Sequence, residues 1–506
     1  MDMFSALASG FSIAATPGNL LVCLLGALFG TIVGVLPGLG PSAAITILLP
    51  LTFGMEPISA FIMLGGIYYG SQYGGSTTAI LLRMPGESSA IVTTIDGYEM
   101  AKQGRAGPAL AICAIGSFIA GTIGVAGLMI FGPALASFAL RFGPAEYFAV
   151  ATLGIAALVF IEGGSRVKAL ASAGAGFLLA MIGLDPIGGQ NRFTFGQNQL
   201  LEGIDFIVVA MGLFAIAEIL ISLEEGAAGR AMSVKLKSLW ITWADWSASW
   251  KPILRGSFLG FFMGLIPGPG TIITFASYAI EKNLSKHPER FGNGAIEGVA
   301  GPESANNSDT IARFVPLLSL GIPSGNVTAI LLSAMILHGL TPGPLLFATK
   351  PDFVWGLIAS MYLGNLMLLV LNLPLVPVFA SLTRIPYSFL YPAVFVVTVI
   401  GVYSLEASLF HIWLLLGFGV LGYFMRRYRY PVAPMVLALV LGPLMERSLY
   451  RTMTLSHGDF SVIFTRPISG TLMACVALVL LGPMLLSARR SWKARRPGAA
   501  EARPGT

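Results

Sequence analysis

Residues 26–41 read GALFGTIVGVLPGLGP and residues 256–271 read GSFLGFFMGLIPGPGT. Each stretch carries three glycines four residues apart, Gly26, Gly30 and Gly34 or Gly256, Gly260 and Gly264, and then Pro-Gly, one further residue and Gly. Positions four apart fall on nearly one face of a helix, so the glycines form a groove into which a second backbone can pack. Proline removes an N–H and clashes with the preceding turn, while glycine opens left-handed dihedrals. The helix is therefore expected to unwind at Pro37-Gly38-Leu39-Gly40-Pro41 and at Pro267-Gly268-Pro269-Gly270. Gly26 to Gly256, Pro37 to Pro267 and Gly40 to Gly270 all differ by 230, the mark of an internal duplication.

The bulk composition places these breaks in a bilayer. Of 506 residues, 55% are hydrophobic and 11% charged, with a mean hydropathy of +0.80, whereas a soluble domain carries roughly 25% charged residues. Apolar runs of about 20 residues, enough to cross about 30 Å of hydrocarbon, recur from Asn19 to Ser487. The expected fold is an all-α polytopic membrane protein of about 11–12 transmembrane segments, in two repeat-related halves with broken helices and re-entrant hairpins. Residues 1–223 form the first half, 224–251 a polar cytoplasmic linker, 252–488 the second half and 489–506 a basic, disordered cytoplasmic tail. Unwound backbone at membrane depth is tolerated only where it is buried or lines a wet cavity. Paired breaks in two halves point to a transporter's binding site, and such repeats are commonly inverted.

The charge pattern fits this reading. The net charge of +6 does not imply nucleic acid, because the basic residues cluster in loops. Lys235, Lys237, Lys251 and Arg255 flank the linker, Arg426, Arg427 and Arg429 follow one span, and Arg489, Arg490, Lys493, Arg495 and Arg496 follow the last. The positive-inside rule makes these loops and the C-terminus cytoplasmic. Trp240, Trp243, Trp246 and Trp250 read as an interfacial anchor. The N-terminus MDMFSALASG lacks the basic start of a signal peptide, so the first apolar run is expected to be retained. Cys23, Cys113 and Cys475 sit in apolar runs without ligand spacing and read as buried packing. His287, His338, His411 and His457 are scattered, no Gly-Lys dipeptide occurs, and no acidic pair is clustered. The pattern offers no catalytic metal, no Walker-A loop and no enzyme site.

A second polar constellation follows each ladder. In the first half it runs through Tyr69-Gly70-Ser71-Gln72-Tyr73-Gly74-Gly75-Ser76-Thr77-Thr78 to Pro85-Gly86-Glu87, and in the second through Gly301-Pro302-Glu303-Ser304-Ala305-Asn306-Asn307-Ser308-Asp309-Thr310 to Pro323-Ser324-Gly325-Asn326. Ser76-Thr77-Thr78 aligns with Ser308-Asp309-Thr310 at an offset of 232, and Pro85 with Pro323 at 238. Hydroxyls, carboxamides and freed N–H groups suit an anion, especially at half-helix N-termini. Carbonyls and a carboxylate such as Asp309 suit Na⁺. An Asp309–Arg313 pair four residues apart is open to two readings, mutual neutralisation or ligand binding. Arg83, Glu87, Asp96 and Lys102 read as a surface loop, and Glu218 and Asp185 as weaker candidates.

The run from GTIVGVLPGLGP through YYGSQYGGSTTAILLRMPGE to DGYEMAKQGRAGPAL, with GLIPGPGT, GPESANNS and LGIPSGNVTAILL, resembles the large membrane subunit of the tripartite tricarboxylate transporters across roughly residues 15 to 445. The resemblance implies a bacterial inner-membrane secondary transporter without a cofactor. It implies three partners as well: a small transmembrane subunit, a periplasmic solute-binding protein and a carboxylate substrate, with uptake driven by a Na⁺ or H⁺ gradient. Joined to the residue reading, Ser76, Thr77, Asn306, Asn307, Ser324 and Asn326 are expected to bind the carboxylate. Gly38, Gly40, Gly268 and Gly270, helped by Asp309, are expected to hold Na⁺, and an elevator motion of a repeat-containing unit is expected to carry both. An exporter, an anion channel and a membrane-embedded enzyme are the alternatives.

Overall fold

The helix ends that shape the site follow local residue choices among the described residues. The structure, a computed structural model, describes residues 3–36, 40–161, 165–185, 188–225, 239–266, 270–375, 378–379 and 387–494. Gly38, Gly268, the prolines at 37 and 267, residues 226–238 of the linker and the tail from 495 lie outside the described residues. The first part comprises α1 (Met3–Ala14), α2 (Pro17–Val35), α3 (Pro41–Leu48), α4 (Pro57–Leu82), α5 (Thr93–Lys102), α6 (Ala106–Ala139), α7 (Pro144–Ile161) and α8 (Arg166–Ala180). A short antiparallel hairpin follows, β1 (Gly183–Leu184) with β2 (Asn191–Arg192). Next, α9 (Phe206–Ala210) passes through a π-helical turn, Met211–Ile216, into α10 (Ala217–Glu225).

Beyond the linker run α11 (Trp243–Gly264), α12 (Gly270–Leu284), α13 (Glu297–Ala312), α14 (Phe314–Leu320), α15 (Asn326–Leu337), α16 (Leu346–Thr349) and α17 (Pro351–Asn372). The helices Tyr387–Glu406, Leu409–Arg427, Ala433–Leu455 and Pro467–Ala494 complete the bundle. Among the described residues, Pro17–Val35, Ala106–Ala139, Phe206–Glu224, Pro351–Asn372 and Leu409–Arg427 are long and apolar enough to cross a membrane alone. This is a membrane-embedded, multi-pass, all-α protein. At about 1.5 Å per residue, α3 and α15 are too short to cross by themselves.

Both ladder helices stop where the Pro-Gly motifs stand, α2 at Val35 and α11 at Gly264. Each ladder docks on the helix that bears the polar residues. A Cβ at Gly26, Gly30 or Gly34 would lie 2.4, 2.4 or 2.2 Å from the carbonyl oxygens of Met63, Ile67 and Ser71 on α4. At Gly256 and Gly260 it would lie 2.2 and 2.1 Å from the carbonyl oxygens of Gly301 and Ala305 on α13. At Gly264 it would lie 2.6 Å from Asp309 Oδ1. Contacts this close leave no room for any other residue. The docking partners Met63 and Gly301, Ile67 and Ala305, and Ser71 and Asp309 are each 238 apart. The packing therefore corrects the expected alignment of Ser76-Thr77-Thr78 with Ser308-Asp309-Thr310. Ser71 holds the place of Asp309, at the spacing that also relates Pro85 to Pro323.

α4 and α13 are buried along nearly their whole length, Ala60 to Leu81 and Gly298 to Ala312. Ser, Thr, Asn and Gln compete with the backbone for hydrogen bonds in water. With water excluded, their side chains bond within the bundle and the helix survives. Two other expectations are corrected. Asp96 is not in a surface loop but fully buried, where it accepts hydrogen bonds from the N–H groups of Gly292, Gly294 and Ala295 and from the Tyr278 hydroxyl. Cys475 is exposed, while Cys23 and Cys113 are buried. Arg83 is exposed as expected, and Trp240 and Trp243 are exposed beside the linker.

Candidate functional site

A cavity of about 380 Å³ lies where the short helices meet α4 and α13. Three helix starts reach it: Gly40 to Ala43 at the head of α3, Gly270 at the head of α12, and Gly325 to Thr328 at the head of α15. Their positions follow from the sequence. Gly40 and Gly325 are extended N-cap residues, and Pro41 occupies the first helical position, where its missing N–H costs nothing. Arg83 (φ 59°) and Gly321 (φ 68°) end α4 and α14 in the left-handed region. Pro85 and Pro323 follow two residues later and direct both chains back to the cavity. First-turn N–H groups have no partner within their own helix and carry the positive end of the dipole. The helix starts thus supply donors suited to negative charge on that part of the wall.

The buried side chains divide between satisfied and unsatisfied groups. Arg313 donates from Nε and Nη2 to Asp309 Oδ2 at 3.0 and 2.9 Å, and from Nη1 to the Ser324 carbonyl at 3.0 Å. Asp309 and Arg313 therefore neutralise each other, as one of the two sequence readings held. Asp309 Oδ1, however, is buried without a hydrogen-bond partner among the described residues, and so are Asn306 Oδ1, Asn326 Oδ1 and Ser324 Oγ. Carboxylate and carbonyl oxygens of this kind are ligands for a hard cation. Gly40 and Gly270 lie at the cavity, and a Cβ at Gly270 would stand 3.0 Å from Asp309 Oδ2. The residues present fit Na⁺.

Glu87 also lines the cavity instead of a surface loop. The turn at Arg83 and Pro85 folds it inward, where Asn306 Nδ2 donates to its Oε1 at 2.6 Å. Gln72 Nε2 donates to Thr310 Oγ1 at 3.0 Å, which ties α4 to α13 beside it. Across the cavity stand Phe214 and Glu218 from the π-helical region and Arg426 from Leu409–Arg427, with Glu218 and Arg426 paired.

Of the expected carboxylate ligands, Asn326 lines the cavity, Asn306 reaches it through Glu87, and Ser324 borders it behind Gly325. Ser76, Thr77 and Asn307 do not line it. Ser76 Oγ donates to Glu303, Thr77 Oγ1 to the Tyr73 carbonyl, and Asn307 Nδ2 to Ser117 Oγ at 2.7 Å. The polarity of Ser76 and Asn307 is consumed between helices and that of Thr77 within its own helix. Gln72, Ser42 and Ser89 reach the cavity without having been singled out. Their signal was the helix period, because Gln72 lies one turn from Tyr68, another lining residue.

The comparisons with known proteins bear on this cavity. A family model described as the tripartite tricarboxylate transporter TctA family matches residues 20–437. The chain belongs to the TctA family. Two Agrobacterium vitis proteins resemble it. One, called an uncharacterized 52.8 kDa protein in the TAR-I ttuC' 3' region, is 49% identical over 494 residues, 97% of this chain and 98% of its own. The other, called an uncharacterized protein in the TAR-II ttuC' 3' region, is 47% identical over 235 residues, 46% of this chain and 97% of its own. No solved structure matches. In this TctA-family chain the matched region contains the helix breaks, the three helix starts and the Asp309–Arg313 pair. The family is one of transporters.

Proposed function

We propose that this protein is the large transmembrane subunit of a binding-protein-dependent secondary transporter that imports a di- or tricarboxylate with Na⁺. The observation that carries the reading is the convergence of three helix starts and Arg313 on a cavity that Asp309 also lines, with its Oδ1 buried and unpaired among the described residues. The carboxylate is released by a periplasmic solute-binding protein and enters the cavity. First-turn N–H groups at Ser42 and Ala43, and at Asn326 and Val327, donate to its oxygens, with the Asn326 amide beside them. Asp309 Oδ1 and backbone oxygens near Gly40 and Gly270 hold Na⁺, with Gly38 and Gly268 as the expected further ligands. Co-binding is required by charge. The cavity sets Arg313 and Arg426 against Glu87, Asp309 and Glu218, so a dianion brought in alone would deepen a negative excess in a low-dielectric site.

The recurrence of the ladder docking at one constant spacing supports duplicated halves, and our reading takes them as inverted because paired broken helices commonly belong to inverted repeats. An elevator motion then moves the cavity walls built from α4 and α13 past those built from α9, α10 and Leu409–Arg427. The chain works in the bacterial inner membrane with a small transmembrane subunit, and its C-terminus is cytoplasmic. Proteoliposomes holding this chain and its small subunit test the reading with radiolabelled succinate and citrate, binding protein present or absent, Na⁺ gradient on or off. Saturable accumulation that needs both is expected. Current without saturation, or outward flux alone, would replace the importer with a channel or an exporter.

A further inference from the structure

Behind the cavity wall, Glu303 on α13 is 1% exposed. Other buried carboxylates face an arginine: Asp309 meets Arg313, Glu281 meets Arg255, Glu146 meets Arg466, Asp245 meets Arg105 and Glu218 meets Arg426. Asp96 is met by three backbone N–H groups and a phenol. Among the described residues, Glu303 meets only neutral side chains. Ser76 Oγ lies 2.7 Å from its Oε2, Cys113 Sγ lies 3.4 Å from the same oxygen, and Thr93 Oγ1 bonds Oε1. A carboxylate taken from water without a counter-ion costs several kcal/mol and is relieved by taking up a proton.

The hydrogen-bond geometry accepts that proton. With the carboxyl neutral, Oε2–H donates to Ser76 Oγ, and the Ser76 hydroxyl turns to the Gln72 carbonyl at 3.2 Å. With the carboxylate ionised, the Ser76 hydroxyl turns back and donates to Oε2. Only one hydrogen atom has to rotate. Gln72 lines the cavity, so Ser76 stands one helical turn from it.

Among the described residues, the groups around Glu303 add no cation. Tyr73 approaches from α4 and Cys113 from α6, Asp96 on α5 is committed to its N–H cradle, and Glu281 on α12 is committed to Arg255. Asp309 and Arg313 further along α13 neutralise each other. Glu87 on the hairpin adds only negative charge.

We propose that Glu303 is a proton-coupling site of the transport cycle, a role that rests on the transport reading above. It takes one proton from water on the outward side, travels as the neutral acid while the substrate anion is aboard, and returns the proton to water on the cytoplasmic side. One negative charge is thereby removed from the polar core that the anion enters.

The test uses the full chain and Glu303→Gln. Infrared difference spectra of wild type minus variant at pH 7 are expected to show the C=O stretch of a neutral carboxyl. In proteoliposomes at a fixed Na⁺ gradient, a superimposed inward proton gradient should stimulate wild-type uptake of citrate or succinate. Glu303→Gln should keep counterflow of the same acid and lose the stimulation at least tenfold, and Glu303→Asp should regain part of it. Absence of the carboxyl band, or undiminished stimulation in Glu303→Gln, would overturn the proposal. If wild type takes up neither acid, the transport reading falls and the coupling role with it, while the infrared band still decides whether Glu303 holds a proton.

Discussion

Arg313 shows how much one buried side chain can decide. Its fork satisfies Asp309 Oδ2 and the Ser324 carbonyl together, which a lysine, a point charge without the planar fork, cannot reproduce. Arg313→Lys should therefore keep the charge and lose the geometry of the α15 hairpin. An increase of about tenfold in KM for carboxylate uptake is expected, equivalent to about 1.4 kcal/mol, and an unchanged KM would detach Arg313 from the site. Asp96 has the opposite character, a buried carboxylate whose bonds serve the fold. Asp96→Asn keeps an oxygen for the three N–H groups on Oδ1 and turns an N–H₂ toward the Tyr278 hydroxyl, but it removes the charge, and hydrogen bonds to a charged group are worth roughly 1.5–3 kcal/mol each. The thermal midpoint of the purified chain should fall clearly while KM in the folded fraction stays the same. Neither role was legible for Asp96 or Glu87, because a carboxylate in a short polar run looks the same in sequence whether it faces water or folds inward. Only the left-handed turn at Arg83 and the docking of the 292–295 backbone decide it.

At the level of the element, the glycine ladders were legible because the information is local: glycines four apart and a following Pro-Gly dictate a smooth face and a stop without reference to the rest of the chain. What they dock against was not legible, and the extra eight residues between ladder and partner in the second half displaced the expected alignment from 238 to 232. The polar runs on α4 and α13 hid their register for the same reason. Ser76, Thr77 and Asn307 have the chemistry of ligands, and only the structure shows that Glu303 and Ser117 across the packing, and the Tyr73 carbonyl within α4, use it. The docking makes a sharp prediction. Gly30→Ala and Gly260→Ala put a methyl 2.4 and 2.1 Å from a carbonyl oxygen, so each must push two helices apart and should reduce the yield of folded, monodisperse protein severalfold. Gly18→Ala at the start of α2 meets nothing within 4 Å and should express like wild type. Equal yields for all three, by fluorescence-detected size exclusion, would refute close docking.

At the scale of the whole molecule, the cavity is walled by two groups of helices, and the elevator reading requires them to slide. Their boundary includes the contact between the turn after α3 and the helix Tyr387–Glu406, where a Cβ at Gly401 would lie 3.1 Å from the Pro50 Cβ. Disulfides join Cβ atoms roughly 3.5–4.5 Å apart, so Pro50→Cys with Gly401→Cys should close with a small local shift. The exposed Cys475 is replaced by serine so that the engineered pair is the accessible one. If α3 moves with the cavity while Tyr387–Glu406 stays with the scaffold, oxidation should abolish carboxylate uptake and dithiothreitol should restore it, with each single-cysteine protein unaffected by either. Binding supplies the control, because a locked transporter still protects its cavity. Succinate or citrate should continue to raise the thermal midpoint of the oxidised protein although it carries nothing across. Full uptake by quantitatively cross-linked protein would put α3 and Tyr387–Glu406 in one rigid unit and move the sliding boundary to the other wall, between α4 with α13 and the π-helical segment that presents Phe214 and Glu218.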